Sequence, residues 1–352
     1  MTPESALTMG RVRSIAVIGA GIAGLSCATA LQQTGQKIRV FEKSRRPAGR
    51  MSTRRGENWQ CDHGAQYFTA RDPGFRAEVA RWQQAGVAAV WNPRLQVLNG
   101  ESSRDHAARS AAATGSVARF VGIPRMSAPA GLLADALPVS VGTTIKHLQR
   151  QPDGWQLLSA EQGWLDERFD AVVLAVPAPQ AATLLQALAP GLAEVARGAT
   201  MRGSWAMMLR FSRPVELPFD AAFVNAGPLR WIARDSSKPG RSGLETWLLH
   251  ASAEWSDEHI KEDAERVARP LLQAFSQLGG PEPQMWSAHR WLYADTEPAL
   301  DNVCAWDAAE QLGLCGDWLN CGKVEGAWLS GRALARRVAH SSLEMHPTSW
   351  SS

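Results

Sequence analysis

Apolar positions along this chain follow two rhythms. Ser14 to Ile18, Lys37 to Glu42 and Phe169 to Val176 are short, nearly continuous apolar runs bounded by glycine, charge or Pro177. Such runs predict strands buried on both faces of a sheet. The stretches 203–211, 221–225, 245–251 and 284–294 alternate instead, which predicts an antiparallel sheet with two unlike faces. Residues 143–148 and 155–158 alternate around Asp153-Gly154 and predict a hairpin. Val87 to Trp91 reads as a further strand. Helical spacing runs from Ile22 to about Thr34, with Gly35 as C-cap, and recurs over 75–84, 128–137 and 326–339. Residues 257–277 predict a helix with a charged face, kinked at Pro270.

The order of these elements predicts an α/β fold in two parts. One is a Rossmann-like dinucleotide-binding domain assembled from 12–72, 123–180 and 298–340. The other, from 73–122 and 181–297, is an α+β substrate domain around the antiparallel sheet. Residues 98–117, polar and rich in Ala and Ser, read as a surface hairpin or loop. Residues 1–11 and 341–352 read as disordered tails. There are no internal repeats.

Two motifs at opposite ends narrow the chemistry. The first strand runs into Gly19-Ala20-Gly21-Ile22-Ala23-Gly24, the Gly-x-Gly-x-x-Gly turn that opens a helix in dinucleotide-binding units. Gly19 permits the tight turn, Gly21 the approach of a pyrophosphate, and Gly24 close helix–sheet packing. The helix N-terminus faces the phosphates. The second strand ends in Glu42, at the spacing of a ribose-hydroxyl acceptor, followed by Lys43. Near the C-terminus come Gly316-Asp317 and Val324-Glu325-Gly326-Ala327. Two remote segments gripping one extended dinucleotide point to non-covalent FAD rather than NAD. The segment Pro47 to Arg55, with Gly49, Arg50 and Met51, supports this, since an arginine fork suits phosphate oxygens. Ala48 stands where a glycine is usual in such a loop, which is tolerable at negative φ.

Composition removes other classes. The chain has 352 residues and a formal charge of +3, and no apolar run long enough to span a bilayer. Neither nucleic acid nor membrane is expected as a partner. The N-terminus lacks a basic-then-apolar export pattern, and the five scattered cysteines read as reduced thiols, so a cytoplasmic location is expected. No metal-ligand spacing is present. Fifteen tryptophans are many for this length. Most read as packing, and one or two as lining for a flat substrate.

Narrower pieces follow. Gly49-Arg50-Met51-Ser52, His63 through Asp72, Val121-Gly122 with Met126-Ser127-Ala128, and Trp231 through Arg241 resemble the renalase family of flavin oxidases, in particular its bacterial members. So do Thr246 to Ala251, His289 to Ala294 and the C-terminal motif, in order over residues 14 to 336. The resemblance implies the architecture of hydroxybenzoate hydroxylase and amine oxidase, with the flavin ring where the domains meet. It also implies hydride transfer from non-standard dihydro isomers of NAD(P) to the flavin, with O2 as electron acceptor and hydrogen peroxide as product. Amine oxidation, a nicotinamide-dependent dehydrogenase and a non-catalytic flavin-binding redox sensor stay open as alternatives. The expected catalytic residues are Gln66, Tyr67 and Thr69 from the cofactor side and His289 and Trp291 from the substrate sheet, with Tyr293 nearby. Gln66 and Tyr67 would position a dihydronicotinamide ring, Phe68 packing the domain interface. Besides the motifs above, Gly64, Ala65, Gln66 and Ile145 are expected at the cofactor, and the Glu325-Gly326 helix start at the flavin pyrimidine ring.

Overall fold

The computed structural model describes residues 12–98, 117–298 and 300–344. One six-stranded sheet has the order Ala305–Asp307, Leu312–Leu314, Ala171–Leu174, Ser14–Ile18, Lys37–Glu42, Val139–Val141. All neighbours are parallel except the edge pair Ala305–Asp307 with Leu312–Leu314. Its central strands carry apolar side chains to both faces, and Ile15, Ala16, Val17, Val172, Val173 and Leu174 are fully buried. On one face the helix Ile22–Gln33 crosses the helix Lys323–Glu344. The crossing needs Gly331, where a Cβ would lie 2.1 Å from the Ala23 carbonyl oxygen. Ser26 Oγ donates to the Trp328 carbonyl at 2.9 Å across the same contact. The other face is covered by the three-stranded sheet Ile145–Gln151, Gly154–Ser159 and Gly163–Trp164 and by the helices Ala178–Leu185 and Pro190–Arg197.

The second six-stranded sheet has the order Met285–Thr296, Met201–Phe211, Glu245–Ala251, Leu229–Arg234, Ala221–Val224, Leu95–Leu98. It is antiparallel apart from the last pair. The period of two sorts its side chains. Trp205, Met207, Leu209, Trp247 and Leu249 pack with Val267, Leu271 and Phe275 of the helix Ala264–Gln277, whereas Ala206, Met208 and Leu248 face Cys61.

Several expectations shift. The helix expected over 257–277 is two helices, Ala253–Glu258 and Ala264–Gln277. Each has its own cap: Ser252 Oγ accepts from Trp255 N–H at 3.2 Å and Asp263 Oδ1 from Arg266 N–H at 2.9 Å. Two good N-caps eleven residues apart make two starts. The C-terminal helix begins at Lys323 and continues through Glu344, so residues 341–344 of the expected tail are helical. The tail segments 1–11 and 345–352, and residues 99–116 of the expected surface loop, lie outside the described residues. The strands Leu95–Leu98, Val139–Val141 and Leu229–Arg234 had no clear period of their own. No helix among the described residues is long and apolar enough to cross a membrane.

Candidate active site

A cleft of about 2940 Å³ runs between the two large sheets. Small-molecule sites usually occupy about 300–1,000 Å³, so the cleft has room for an extended dinucleotide and a second molecule. Its first wall is built largely from backbone. Gly19 sits at φ +105°, and a Cβ there would fall 2.4 Å from the Ala175 carbonyl oxygen. A Cβ at Gly24 would fall 2.0 Å from the Gly19 carbonyl oxygen. Gly21 meets nothing within 4 Å, and it starts the helix Ile22–Gln33 with neither a side-chain cap nor an acid in the first turn. The orphan N–H groups of that helix therefore open on the cleft, as an anion site requires.

The expected cofactor residues divide by position. Gly19, Gly21, Ile22, Ala23, Glu42, Lys43, Gly49, Arg50, Met51, Gly64, Ala65, Gln66 and Ile145 line the cleft, as do Gly316, Asp317, Val324, Glu325 and Ala327. Ala20, Gly24 and Gly326 do not: Ala20 is fully buried, and Gly24 and Gly326 sit where a Cβ would strike the carbonyl oxygens of Gly19 and Asn320. They shape the wall from behind.

Three carboxylates have partners that spacing did not reveal. Glu42 is buried, and accepts from the N–H groups of Ala20 at 2.9 Å and Ser44 at 2.8 Å. It ties the end of its strand to the glycine loop, one oxygen to each side. Asp317 takes both ends of the Arg50 guanidinium, whose Nη1 also donates to the Ala294 carbonyl at 3.1 Å. The two terminal motifs thus meet through an ion pair, and Arg50 is turned to Asp317 as well as to the cleft. Glu325 Oε1 accepts from the N–H groups of Arg71 at 2.7 Å and Asp72 at 2.6 Å. It anchors the segment after Thr69 to the start of the C-terminal helix. Ala48 is a correction. Its φ is +118°, not negative, and the residue is buried with its N–H on the Ala20 carbonyl at 2.9 Å. The loop keeps its glycine-like turn even with a Cβ in place, at a conformational cost.

The second wall is lined by side chains of distant segments, among them Gln66, Tyr67, Trp231, His289 and Trp291, and a buried charge network braces it from behind. Asp62, Gln66, Asp235 and Lys238 are buried, and the side chain of Arg241 is 1% exposed. Lys238 Nζ lies 2.7 Å from Asp235 Oδ1, 3.1 Å from Asp62 Oδ2 and 3.2 Å from Gln66 Oε1. Arg241 Nη2 pairs with the same Asp62 oxygen, and its Nη1 donates to the Gly122 and Pro124 carbonyls at 2.9 Å. Thr53 Oγ1 and the Met126 N–H complete Asp62 at 2.6 and 3.1 Å. Burial would raise the Asp62 carboxyl, but Lys238 and Arg241 outweigh it and hold it below the usual carboxylate range. Burial and the Asp62 charge push Asp235 up to about 6. Burial would lower Lys238, and the Asp235 and Asp62 charges keep it raised instead.

Gln66 belongs to this network. Its Nε2 donates to the Asp62 carbonyl at 2.7 Å and the Gly64 carbonyl at 3.1 Å, and its Oε1 accepts from Lys238. Its amide braces the turn 62–66 rather than standing free in the cleft. Tyr67 and Thr69 line the cleft. The Tyr67 ring lies 5.6 Å from Trp231 and 6.5 Å from Trp91. Phe68 is buried against Phe75, Trp82 and Phe120.

His289 and Trp291 reach the cleft from the strand Met285–Thr296 and meet His63 there. His63 stacks on Trp291 at 5.2 Å and stands edge-on to His289 at 4.8 Å. Trp291 Nε1 donates to the His63 carbonyl at 2.8 Å, and His250 Nε2 lies 3.2 Å from the same oxygen. Burial, then the charges of His289 and Arg54, press His63 down to about 3. Burial presses His250 to about 4, and burial with Arg54 presses His289 to about 4. All three imidazoles are neutral at pH 7.

Sequence reasoning missed Asp62, His63, His250, Asp235, Lys238 and Arg241 as a functional cluster. The one local signal was the Asp235 to Arg241 run, two cations and an acid directly after an apolar strand. Among the described residues no group of three His, Cys, Asp or Glu could hold a metal ion.

The comparisons with known proteins agree with this layout. The NAD(P)-binding Rossmann-like domain profile matches residues 17–81, and that of the flavin-containing amine oxidoreductases matches residues 96–339. The chain is 32% identical over 213 residues to a tRNA 5-methylaminomethyl-2-thiouridine biosynthesis bifunctional protein MnmC of Magnetococcus marinus. That match covers 47% of this chain and 30% of that protein, so less than a third of the relative is spanned. Among solved structures the fold is similar to a proposed protoporphyrinogen oxidase from Exiguobacterium sp. 255-15, with TM-score 0.74, 13% identity, and 95% of this chain and all of that chain covered. It is similar to a cyclohexylamine oxidase from Brevibacterium oxydans, with TM-score 0.69, 15% identity, and 95% and 100% covered. It is also similar to a putrescine oxidase bound to putrescine, with TM-score 0.68, 15% identity, and 94% and 99% covered. The uncapped helix start above Gly21 and the glycines that no Cβ could replace suit a pyrophosphate-bridged flavin. With its profile matched over residues 96–339, the chain belongs to the family of flavin-containing amine oxidoreductases, and FAD is its cofactor.

Proposed function

We propose that this protein is a cytoplasmic, renalase-like oxidase of non-standard dihydro isomers of NAD(P), with non-covalent FAD held by segments 12–72, 123–180 and 298–340. The observation that carries this reading is the charge of the cleft. Among the described residues that line it, twelve are Arg or Lys and four are Asp or Glu. Of the four acids, Glu42 and Glu325 are engaged by backbone N–H groups and Asp317 by Arg50. A protonated amine would enter against this field, whereas a phosphate-bearing dihydronicotinamide is drawn in by it. The renalase-like motifs at His63 to Asp72, Trp231 to Arg241 and His289 to Ala294 supply three pieces of the second wall.

When bound, FAD would supply the hydride acceptor, with O2 as the final oxidant and hydrogen peroxide as product. The chain supplies orientation. The helix start at Gly21, Lys43 and Arg50 bind the pyrophosphate side, and Glu42 the ribose side. Tyr67 and Thr69 bound the substrate from the cofactor side, with His289 and Trp291 opposite. Gln66 acts through the turn it braces. Oxidation of a dihydronicotinamide to the aromatic cation transfers one hydride and no proton, so the three neutral histidines suit it. Amine oxidation is the second reading, favoured by the family and by the putrescine and cyclohexylamine oxidases of similar fold.

The test is anaerobic mixing of the yellow, FAD-loaded protein with dihydronicotinamide isomers and with amines, side by side. Bleaching by the isomers, followed by peroxide on admitting air, is expected. Bleaching by amines alone would replace this reading with the second. Acid precipitation is expected to release free FAD.

A further inference from the structure

Resting on that reading, we propose that Arg119, beside Tyr67 and Trp231, is the residue that selects phosphorylated substrates, by taking a phosphate oxyanion of the dihydronicotinamide nucleotide. Arg119 lies just before the strand Phe120–Gly122 and lines the cleft, half-buried. Its guanidinium carbon stands 5.5 Å from the centre of the Tyr67 ring. Trp231 is tilted against the same Tyr67 ring, 5.6 Å away, and lies 4.8 Å from Phe223.

Two buried donors in this recess lack partners: Arg119 Nε and Trp231 Nε1 have none among the described residues. Trp231 itself is 5% exposed. Leaving a buried donor without an acceptor is unfavourable, so two beside one ring, on the wall of an open cleft, call for a ligand rich in acceptors. The charge of Arg119 stands without a carboxylate, unlike that of several arginines of the same sheet region. Arg230 pairs with Asp295 at 3.5 Å, Arg234 with Glu245 at 2.8 Å and Arg94 with Asp220 at 2.8 Å. No carboxylate pairs with Arg119 among the described residues. A half-buried, unneutralised guanidinium stacked on an aromatic ring is pre-organised for a bidentate oxyanion. The aromatic neighbours give the adjoining heterocycle a flat surface.

The test is calorimetric titration of FAD-loaded wild type and Arg119→Met with nicotinamide mononucleotide, nicotinamide riboside and inorganic pyrophosphate. Methionine keeps much of the apolar stem. FAD content and melting temperature check the fold, and Arg119→Lys restores charge without the fork. We expect wild type to bind the mononucleotide more tightly than the riboside. Arg119→Met should weaken the mononucleotide at least tenfold, leave the riboside unchanged and abolish pyrophosphate binding, and lysine should recover part of the loss. Equal losses for mononucleotide and riboside, or no loss for mononucleotide and pyrophosphate, would overturn the proposal. If wild type binds pyrophosphate through Arg119 but neither nicotinamide compound, the oxyanion site stands and the dihydronicotinamide reading falls. If Arg119→Met does not fold, the wild-type ratio decides: mononucleotide no tighter than riboside, with no pyrophosphate binding, also overturns it.

Discussion

The two walls of the cleft are made of different materials. The Gly19–Gly24 wall offers backbone N–H groups and a helix end, and its tolerances are those of missing Cβ atoms. The opposite wall offers side chains. Behind them Asp62, Gln66, Asp235, Lys238 and Arg241, from two stretches of chain, pair with one another out of water. A backbone wall fails by steric clash and loses its ligand. A side-chain wall fails by an unpaired charge and loses its shape. A backbone wall can serve one cofactor across many enzymes, whereas a side-chain wall can change from one enzyme to the next.

The harshest break is Lys238→Met. It leaves the buried Asp62 and Asp235 with Arg241 as their one remaining cation, and removing one partner of a buried pair costs about 3–5 kcal/mol. Denaturant unfolding should show that loss, and Lys238→Met with Asp235→Asn should recover part of it. No loss in the single variant would mean the network carries no charge constraint.

Acid probes the same wall. His63, His250 and His289 have folded values of about 3, 4 and 4 against 6.5 for a free imidazole. The unfolded chain therefore takes up their protons first. Their contribution is complete above pH 6.5 and is lost as pH falls from 6.5 towards 4, at about 1.4 kcal/mol per pH unit per histidine. Asp235, raised to about 6, works in the opposite sense below pH 6, because the folded state then binds its proton before the unfolded chain does. His63→Phe isolates the histidine part: its stability curve should be shallower between pH 6.5 and 4. An unchanged slope would show that His63 is charged in the fold.

Glu42→Ala tests the backbone wall. It removes the acceptor of the Ala20 and Ser44 N–H groups and should weaken FAD binding by about 1.5–3 kcal/mol, read by titrating apoprotein with FAD. Unchanged affinity would place Glu42 outside the cofactor site. The smallest effect is a gain. Ala48→Gly relieves a φ of +118° and should stabilise the protein by about 1 kcal/mol, seen as a raised melting temperature. A lowered melting temperature would show that the buried methyl group is worth more than the strain.

The sequence by itself determined the backbone wall. Strand, glycine turn, helix, second strand and Glu42 are neighbours in the chain, so local geometry dictates where they go, and the motif reads directly as structure. It also determined the second sheet's alternating strands, because a period of two survives any partner. What it could not determine was who answers whom across distance. Glu325 looked like a group for the cofactor and holds the Arg71 and Asp72 N–H groups; Arg50 looked like a phosphate ligand and meets Asp317. Gln66 looked like a substrate contact and is braced by Lys238, 172 residues away. Those pairings were decided by the packing of one sheet against the other, since a hydrogen bond reaches about 3 Å and depends on where the fold brings its two ends.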